Sequence, residues 1–154
     1  MATPHDMARA ILDANRYMTV ATADAEGRPW ASPVWYAHDD YRELLWVSRP
    51  DARHSRNLAA RQEVAIVIFD STVPESEAQA LYVEATGEEL ADPSRAIEVY
   101  SRRSQALGVR PWAMADVTGD APHRLYRATP RAHYLLETTD RRAAIDFGAR
   151  RAGR

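Results

Sequence analysis

The chain has 154 residues, of which 45% are apolar and 27% charged, a composition typical of a globular domain with a hydrophobic core. We expect one domain over residues 1–154, with its core at about 5–147 and a flexible tail at 148–154. The formal net charge of −2 gives no general electrostatic footprint for nucleic acid or for an anionic membrane. Cysteine is absent, which excludes disulfides, thiolate nucleophiles and iron–sulfur clusters.

Every basic residue other than histidine is arginine. The absence of lysine excludes Schiff-base chemistry, and a bound phosphate would need Arg, His, hydroxyl or backbone N–H groups. The longest apolar run, Val64 to Phe69, is far shorter than the ~20 residues that cross a bilayer. The N-terminus also lacks the pattern of a secretory signal. We therefore expect a cytoplasmic protein that acts on neither membranes nor nucleic acid.

The first third of the chain predicts a helix followed by three strands. Thr3 and Pro4 form a helix start, and the apolar stripe after them ends near Asn15. Alternating apolar residues and intervening turn residues then predict a meander. Its strands are expected at 17–23, 30–38 and 43–48.

The middle of the chain predicts two helices that separate strands. Residues 51–61 have helical composition, and a second helix should start at Asp92-Pro93 and end at Gly108. Between these helices we expect strands at 64–69 and 79–90. Gly87 is expected to mark a β-bulge in the longer strand.

The last third is less regular. Residues 109–122 have no clear period and fit either a short helix or a loop on an apolar surface. One or two strands, broken at Pro130, are expected over 124–138, and a final strand at 143–147 after a turn at Asp140-Arg141. Six or seven short strands in hairpin order favour a mainly β fold, an antiparallel barrel with peripheral helices.

Three blocks of sequence resemble a known family in their order and spacing. They are the hairpin from Met18 to Tyr36 with its Gly27-Arg-Pro29 turn, the block from Leu45 through His54-Ser-Arg-Asn-Leu58 to Ile66, and the strand start Gln79-Ala-Leu-Tyr-Val-Glu84. Over about residues 5–138 the chain resembles pyridoxamine 5'-phosphate oxidase-like proteins. The resemblance implies a split β-barrel of the FMN-binding type, working as a homodimer with the flavin in a groove between subunits.

The resemblance also implies a cofactor site. Its phosphate would lie near the start of the middle helix, where free N–H groups, the positive dipole end and Arg53 favour an anion. His54 stands where relatives carry lysine, so the charge at this position should depend on pH. The implied phosphate contacts are Val47, Ser48, Arg53 and His54; the flavin ring would lie along Ser32, Pro33, Val34, Trp35 and Tyr36, with Gln79 near its polar edge and Trp112 as a further candidate.

Other conspicuous side chains have simpler interpretations. Trp30 and Trp46 are expected in the core or at an interface, and Asn57 is expected to order the backbone locally. His38 lies beside two aspartates in a predicted turn, which favours turn chemistry over a metal site. His5, His123 and His133 lack ligand spacing and are expected at the surface or in satisfied structural positions.

The first functional hypothesis is an FMN-dependent oxidoreductase with an unknown small-molecule substrate, walled by Tyr36, Tyr82 or Trp112. Two alternatives remain open at this stage. One is a deazaflavin-dependent reductase, in which arginines such as Arg49 and Arg56 would accompany an acidic cofactor tail. The other is a non-catalytic protein that binds flavin or haem. In the resemblance, Ser32, Ala37 and Leu136 replace residues of the oxidase itself, so pyridoxamine phosphate is not the expected substrate.

Overall fold

A computed structural model describes residues 1–137 and 141–148. This part of the chain contains three α-helices and seven β-strands, and two 3₁₀ turns at Glu75–Glu77 and Met114–Asp116. In chain order they are α1 Pro4–Ala14, β1 Tyr17–Ala23, β2 Pro29–Asp39, β3 Glu43–Ser48, α2 Arg53–Ala60, β4 Glu63–Phe69, β5 Ala80–Glu89, α3 Ser94–Ala106, β6 Arg124–Leu136 and β7 Arg142–Ile145. Residues 149–154 of the tail predicted at 148–154, and Asp140 of the last predicted turn, lie outside the described residues.

Six of the strands close into a barrel. The strand order is β3-β2-β1-β4-β5-β6-β7, all neighbours are antiparallel, and β3 also pairs with β6. The closing pair joins β3 and β6, and β7 lies outside the closed ring as an extra strand on β6. Closure leaves few exposed strand edges, which limits pairing with other chains. The predicted mainly β, split-barrel fold is therefore confirmed.

Strand β6 changes its neighbour along its length. Its first part pairs with β3 from Arg124 to Ala128, and its last part pairs with β7 from His133 to Leu136. Pro130 lies between these parts, opposite Ala85 and next to an irregularity in the β5–β6 pairing, a position where proline is tolerated in a sheet. The described strand is thus continuous across Pro130, with a register shift on β5 between Glu84 and Ala85.

The prediction of a bulge at Gly87 was wrong, because the irregular pairing lies at Glu84 and Ala85 instead. Gly87 serves a different purpose. A Cβ atom at this position would lie 2.6 Å from Cδ1 of Leu58, which is buried on α2. The glycine therefore allows α2 to pack closely against β5.

The barrel interior is filled by side chains that alternate along the strands. Met18 and Val20 of β1 and Leu81 and Val83 of β5 point inward and are at most 2% exposed. Helix α1 covers one end of the barrel with an apolar stripe that includes Leu12. Its Thr3 cap and the reciprocal Asp6 carboxylate form a capping box that fixes where the helix begins.

Between β2 and β3 the barrel is closed over four residue pairs only, and the two strands separate beyond them. These strands pair only from Tyr36 opposite Trp46 to Asp39 opposite Glu43. Before Tyr36, β2 pairs with β1 alone, while β3 continues along β6. Helix α2 contacts β1, β2 and β5 at this opening. Its first turn is thereby held between the end of β3 and the unpaired edge of β2.

Asn57 fastens α2 to the barrel. Its Nδ2 donates to Oγ1 of Thr22 on β1 at 3.1 Å, and both side chains are buried. The predicted local role for Asn57 was wrong, because its partner lies on another element. This bond joins α2 to β1 at the position of Thr22.

Helix α3 covers the outer side of β2 and β3. Ile97 and Tyr100 of α3 pack on Ala37, Leu45 and Leu125 in a second apolar cluster. Residues 109–123 return across this cluster as a loop with one 3₁₀ turn. No helix in the described part of the chain is long and apolar enough to span a membrane.

Candidate functional site

Three of the residues predicted to contact a phosphate come together where β3 ends and α2 begins. Ser48 is the last residue of β3, and its Oγ shares a hydrogen bond of 2.8 Å with Nε2 of His54. Arg53, the first residue of α2, is exposed beside them. Burial lowers the pKa of His54 below its ordinary value of 6.5, so the ring is neutral at pH 7 without an anion nearby.

Trp30 extends this group onto β2. The Arg53 guanidinium lies 4.2 Å from the centre of the Trp30 ring. Trp30 Nε1 donates to Oγ of Ser32 at 3.0 Å. We call Trp30, Ser32, Ser48, Arg53 and His54 the α2-start cluster. Trp30 is a candidate site residue that the sequence-based prediction did not include, although its position two residues from Ser32 on the same strand face was a usable signal.

The backbone at the start of α2 adds donors to the cluster. The cap residue, Ala52, offers no side-chain hydrogen bond, and its carbonyl accepts from the N–H of Arg56 at 3.0 Å. The N–H groups of Arg53, His54 and Ser55 precede that first intrahelical bond, so the helix itself gives them no acceptor. The first turn carries no acidic residue. Its positive dipole end is therefore not neutralised from within the helix.

The α2-start cluster fits a phosphate monoester. It offers one guanidinium, one hydroxyl, one imidazole and the N–H groups of a helix start, the donors that proteins use for phosphate. The nearby Asp51 carboxylate is engaged by Arg49, whose Nε donates to it at 3.0 Å. The cluster can bind and orient an anion, and its residues include no carboxylate that would act as a general base.

The residues predicted to contact the flavin ring lie on two opposite faces of β2. Val34 and Tyr36 point into the barrel and are 6% and 0% exposed. The Tyr36 hydroxyl donates to the carbonyl of Leu12 at 2.7 Å, so the prediction that this side chain walls a substrate was wrong. Pro33 and Trp35 point outward, where Pro33 is exposed and Trp35 is half-buried. Only these two side chains are open to a ligand from the outer face.

Trp35 and Trp112 lie together in a different place from the α2-start cluster. Both indoles meet Tyr100 of α3, with ring centres 5.2 and 5.5 Å from it. Trp30 and Trp35 are five residues apart on β2, a distance of about 17 Å, and they point to opposite faces. Val47 is half-buried on the Trp35 side of the sheet. The chain therefore presents two separate clusters.

Gln79 lies at the other end of the sheet. It precedes β5, whose first residue pairs with Leu136 at the end of β6, whereas Ser48 pairs with Arg124 at the beginning of β6. Gln79 Nε2 donates to Sδ of Met7 on α1 at 3.2 Å. Within one chain the structure does not bring Gln79 to the α2-start cluster.

Comparison with known proteins agrees with this architecture. The sequence pattern of pyridoxamine 5'-phosphate oxidase matches residues 4–137. No curated protein matches the chain.

Three similar solved structures share the fold. A haem-binding protein from Mycobacterium smegmatis is 18% identical with a TM-score of 0.74, over 96% of this chain and 59% of that one. An F420 reductase is 21% identical with a TM-score of 0.62, over 86% and 98%. A FAD-binding protein from Mesorhizobium loti is 22% identical with a TM-score of 0.64, over 84% and 91%. On the match over residues 4–137, the chain belongs to the pyridoxamine 5'-phosphate oxidase family.

Proposed function

We propose that the protein is a flavin-dependent oxidoreductase that binds FMN through the α2-start cluster. The observation that carries the proposal is the meeting of Arg53, the Ser48–His54 pair and the first turn of α2. A phosphate monoester is the common chemical group that would satisfy all three. The F420 and FAD proteins that share the fold support a flavin-type cofactor over other phosphates.

Each residue of the cluster has a defined part in binding. Arg53 supplies a permanent cation, and the helix N–H groups supply directed donors. A phosphate next to His54 favours the protonated ring, so binding raises the pKa that burial lowers and takes up a proton. Ser48 then donates to the anion in place of its bond to His54. When bound, the flavin supplies the electron or hydride transfer, and the chain supplies placement and exclusion of water.

The outer face of the barrel supports a homodimer. Val67, Tyr82 and Tyr134 lie opposite one another on β4, β5 and β6, and all point away from the core. Phe69, two residues from Val67, is 51% exposed. We propose that a second copy of the chain covers this face, because a row of apolar and aromatic side chains on a sheet commonly marks an interface.

The dimer has its own test. The Val67→Arg variant places a charge in this row and should convert a dimer to a monomer in light scattering. The Thr19→Arg variant, on the neighbouring β1 position opposite Val67, tests how far the face extends. A wild-type protein that is monomeric at micromolar concentration would contradict the dimer, whatever its flavin content.

The cofactor is tested by titrating the purified protein with FMN, a deazaflavin and haemin in separate samples. We expect FMN to bind at one per chain, to give a yellow protein and to bleach when a nicotinamide donor is added. Binding of deazaflavin alone would replace FMN as the cofactor, and a Soret band alone would favour a haem-binding role like that of the Mycobacterium smegmatis protein. Binding of neither flavin would overturn the oxidoreductase proposal.

The substrate remains a small molecule in this proposal, and a cytoplasmic location fits a nicotinamide donor. Reduced protein should be reoxidised by the true acceptor faster than by oxygen. A rate that does not respond to any added acceptor, with FMN bound and reducible, would favour a flavin store over an enzyme.

A further inference from the structure

A second pocket lies on the outer face of β2, beneath the loop that follows α3. Its volume is about 340 Å³, within the range of roughly 300–1,000 Å³ that is typical of small-molecule sites. Four aromatic side chains from different parts of the chain form most of its lining. We call it the aromatic pocket; it is lined by Tyr17, Trp35, Tyr100 and Trp112, together with Arg16 and Ser104.

The rings are arranged as walls around a floor. Tyr100 is 4% exposed and meets Trp35 at 76° and Trp112 at 81°, so both indoles stand nearly perpendicular to it. Tyr17 is the cross-strand partner of Trp35 and is 61% exposed at the entrance. Such walls offer both faces and edges to a flat aromatic guest.

The loop that carries Trp112 is held in place without a ligand. The backbone N–H of Trp112 donates to Oγ of Ser101 at 2.9 Å, and the Ser104 hydroxyl donates to the carbonyl of Arg110 at 2.6 Å. Gly108 turns the chain out of α3 with a φ of 74°, a conformation that glycine adopts without strain. The pocket is therefore formed by bonded backbone and not by a loose loop.

The charges around the pocket favour an anion. Arg16 lines it, and within the part of the chain that the structure describes Arg16 has no ion-pair partner. The Arg110 guanidinium lies 3.7 Å from the centre of the Trp112 ring and adds a second cation nearby, although Asp116 is 3.5 Å from it. No described residue in the lining carries a carboxylate.

We propose that the aromatic pocket binds a planar aromatic carboxylate of one or two rings, with the ring between the indoles and the carboxylate at Arg16. This site is separate from the α2-start cluster. On β2, Trp35 lies five residues, about 17 Å, from Trp30 and three residues, about 10 Å, from Ser32, and it points to the opposite strand face. It does not depend on the identity of the flavin. It adds a second ligand, of a defined chemical class, to the proposed cofactor.

The test uses two probes with the same rings and opposite charges. Calorimetry with 2-naphthoate and with 2-naphthylmethylammonium should show that the wild-type protein prefers the carboxylate. The Arg16→Gln variant should lower naphthoate affinity about fivefold, the scale of an exposed ion pair, and leave the cation unaffected or better bound. The Arg102→Gln variant, at an exposed α3 position outside the pocket, is the matched control and should bind like the wild type.

Two further variants test the rings and guard against misfolding. The Trp112→Leu variant should lower the affinity for both probes roughly tenfold through lost ring contact. The Val109→Glu variant places a carboxylate at an exposed position on the rim, where folding is not at risk, and should reverse the charge preference. Equal affinity of the wild type for both probes, or binding to neither, would overturn the proposal.

Competition with FMN separates this site from the cofactor site. Saturating FMN should leave the naphthoate affinity of the wild type unchanged. Displacement of naphthoate by FMN would make the pocket part of the cofactor site and overturn a separate ligand. If the protein binds no FMN, the naphthoate titration still decides the pocket, so the two proposals fail independently.

Discussion

Two half-buried histidines show how the barrel end and the start of α2 differ. Burial lowers the pKa of both His133 and His54, that of His133 to about 4. His133 lies on β6 between the paired strand residues Val83 and Ile145, and its ring meets the edge of Phe147 with centres 4.7 Å apart. His54 is instead bonded to a hydroxyl beside a free helix start.

The same desolvation therefore has two different consequences. For His133, burial beside Phe147 outweighs the Asp146 carboxylate, which raises the pKa, so the ring stays neutral as a part of the packed frame. His54 has a partner, Ser48, that a ligand can replace, and a neighbouring cation that attracts an anion. We infer that packing sets the barrel and that the polar α2-start cluster carries the binding. Substitutions in the barrel interior and in the α2-start cluster separate these two roles.

The largest expected effect is on the interior. Leu81 is 0% exposed, and the Leu81→Ala variant should lose about 2–5 kcal/mol of unfolding free energy through lost burial and a residual cavity. Urea denaturation measures this loss, while the folded fraction should keep its FMN affinity. The Met114→Ala variant, at an apolar position that is 39% exposed, is the control and should change stability by less than about 1 kcal/mol. A small loss at Leu81 would contradict a packed interior.

The next effect is on binding. The Arg53→Ala variant should lower FMN affinity about 10- to 100-fold, because a charge-assisted contact is worth about 1.5–3 kcal/mol. Its unfolding free energy should change by less than about 1 kcal/mol, since Arg53 is exposed. Fluorescence titration measures the affinity, and the Arg102→Ala variant serves as the control. A variant that unfolds easily but binds FMN normally would reverse the assigned roles.

The third effect depends on pH. Because the folded pKa of His133 is about 4, below the ordinary 6.5, the unfolded chain binds a proton that the native chain resists. The contribution of His133 is therefore complete above pH 6.5 and is lost as the pH falls toward 4, by about 1–2 kcal/mol after allowance for solvent screening. Denaturation midpoints from pH 7 to 4 should fall less in the His133→Gln variant. The His123→Gln variant should keep the wild-type slope.

The smallest effect concerns the imidazole of the α2-start cluster. Since burial lowers the pKa of His54, its ring should be mostly neutral at pH 8, and a lysine there should stay charged. The FMN affinity of the His54→Lys variant, divided by that of the wild type, should rise about threefold or more from pH 6 to pH 8. Taking the ratio cancels the titration of the phosphate itself. A ratio that does not change with pH would remove His54 from the site.

Local patterns predicted the strands well. The bounds predicted for β1 and β3, 17–23 and 43–48, agree with the structure, because apolar alternation and turn residues act over a few positions. The bulge was predicted at Gly87 but lies between Glu84 and Ala85, near Pro130, where β6 changes its neighbour from β3 to β7. This change of neighbour depends on tertiary pairing, which local sequence patterns do not indicate. Gly87 is explained by the close approach of Leu58 on α2, a contact that the local sequence does not indicate.

The sequence indicates part of the candidate site's geometry. Ser48, Arg53 and His54 come together because the β3 end and the α2 start are close in sequence, so a motif can carry them. The stacking of Arg53 on Trp30 joins residues on separate elements and has no periodic signature. Trp35 and Tyr36 point in opposite directions because side chains alternate along a strand. The prediction that both line the same flavin ring did not take this alternation into account.

Riboflavin has the same ring as FMN and no phosphate, so it tests directly whether the α2-start cluster recognises a flavin phosphate. Titration of the wild type and the Arg53→Ala variant with FMN and with riboflavin measures the contribution of that group. We expect the wild type to bind FMN at least about tenfold more tightly, and the substitution to lower FMN affinity while leaving riboflavin affinity unchanged. Equal affinities of the wild type for FMN and riboflavin would contradict a phosphate site at the α2-start cluster.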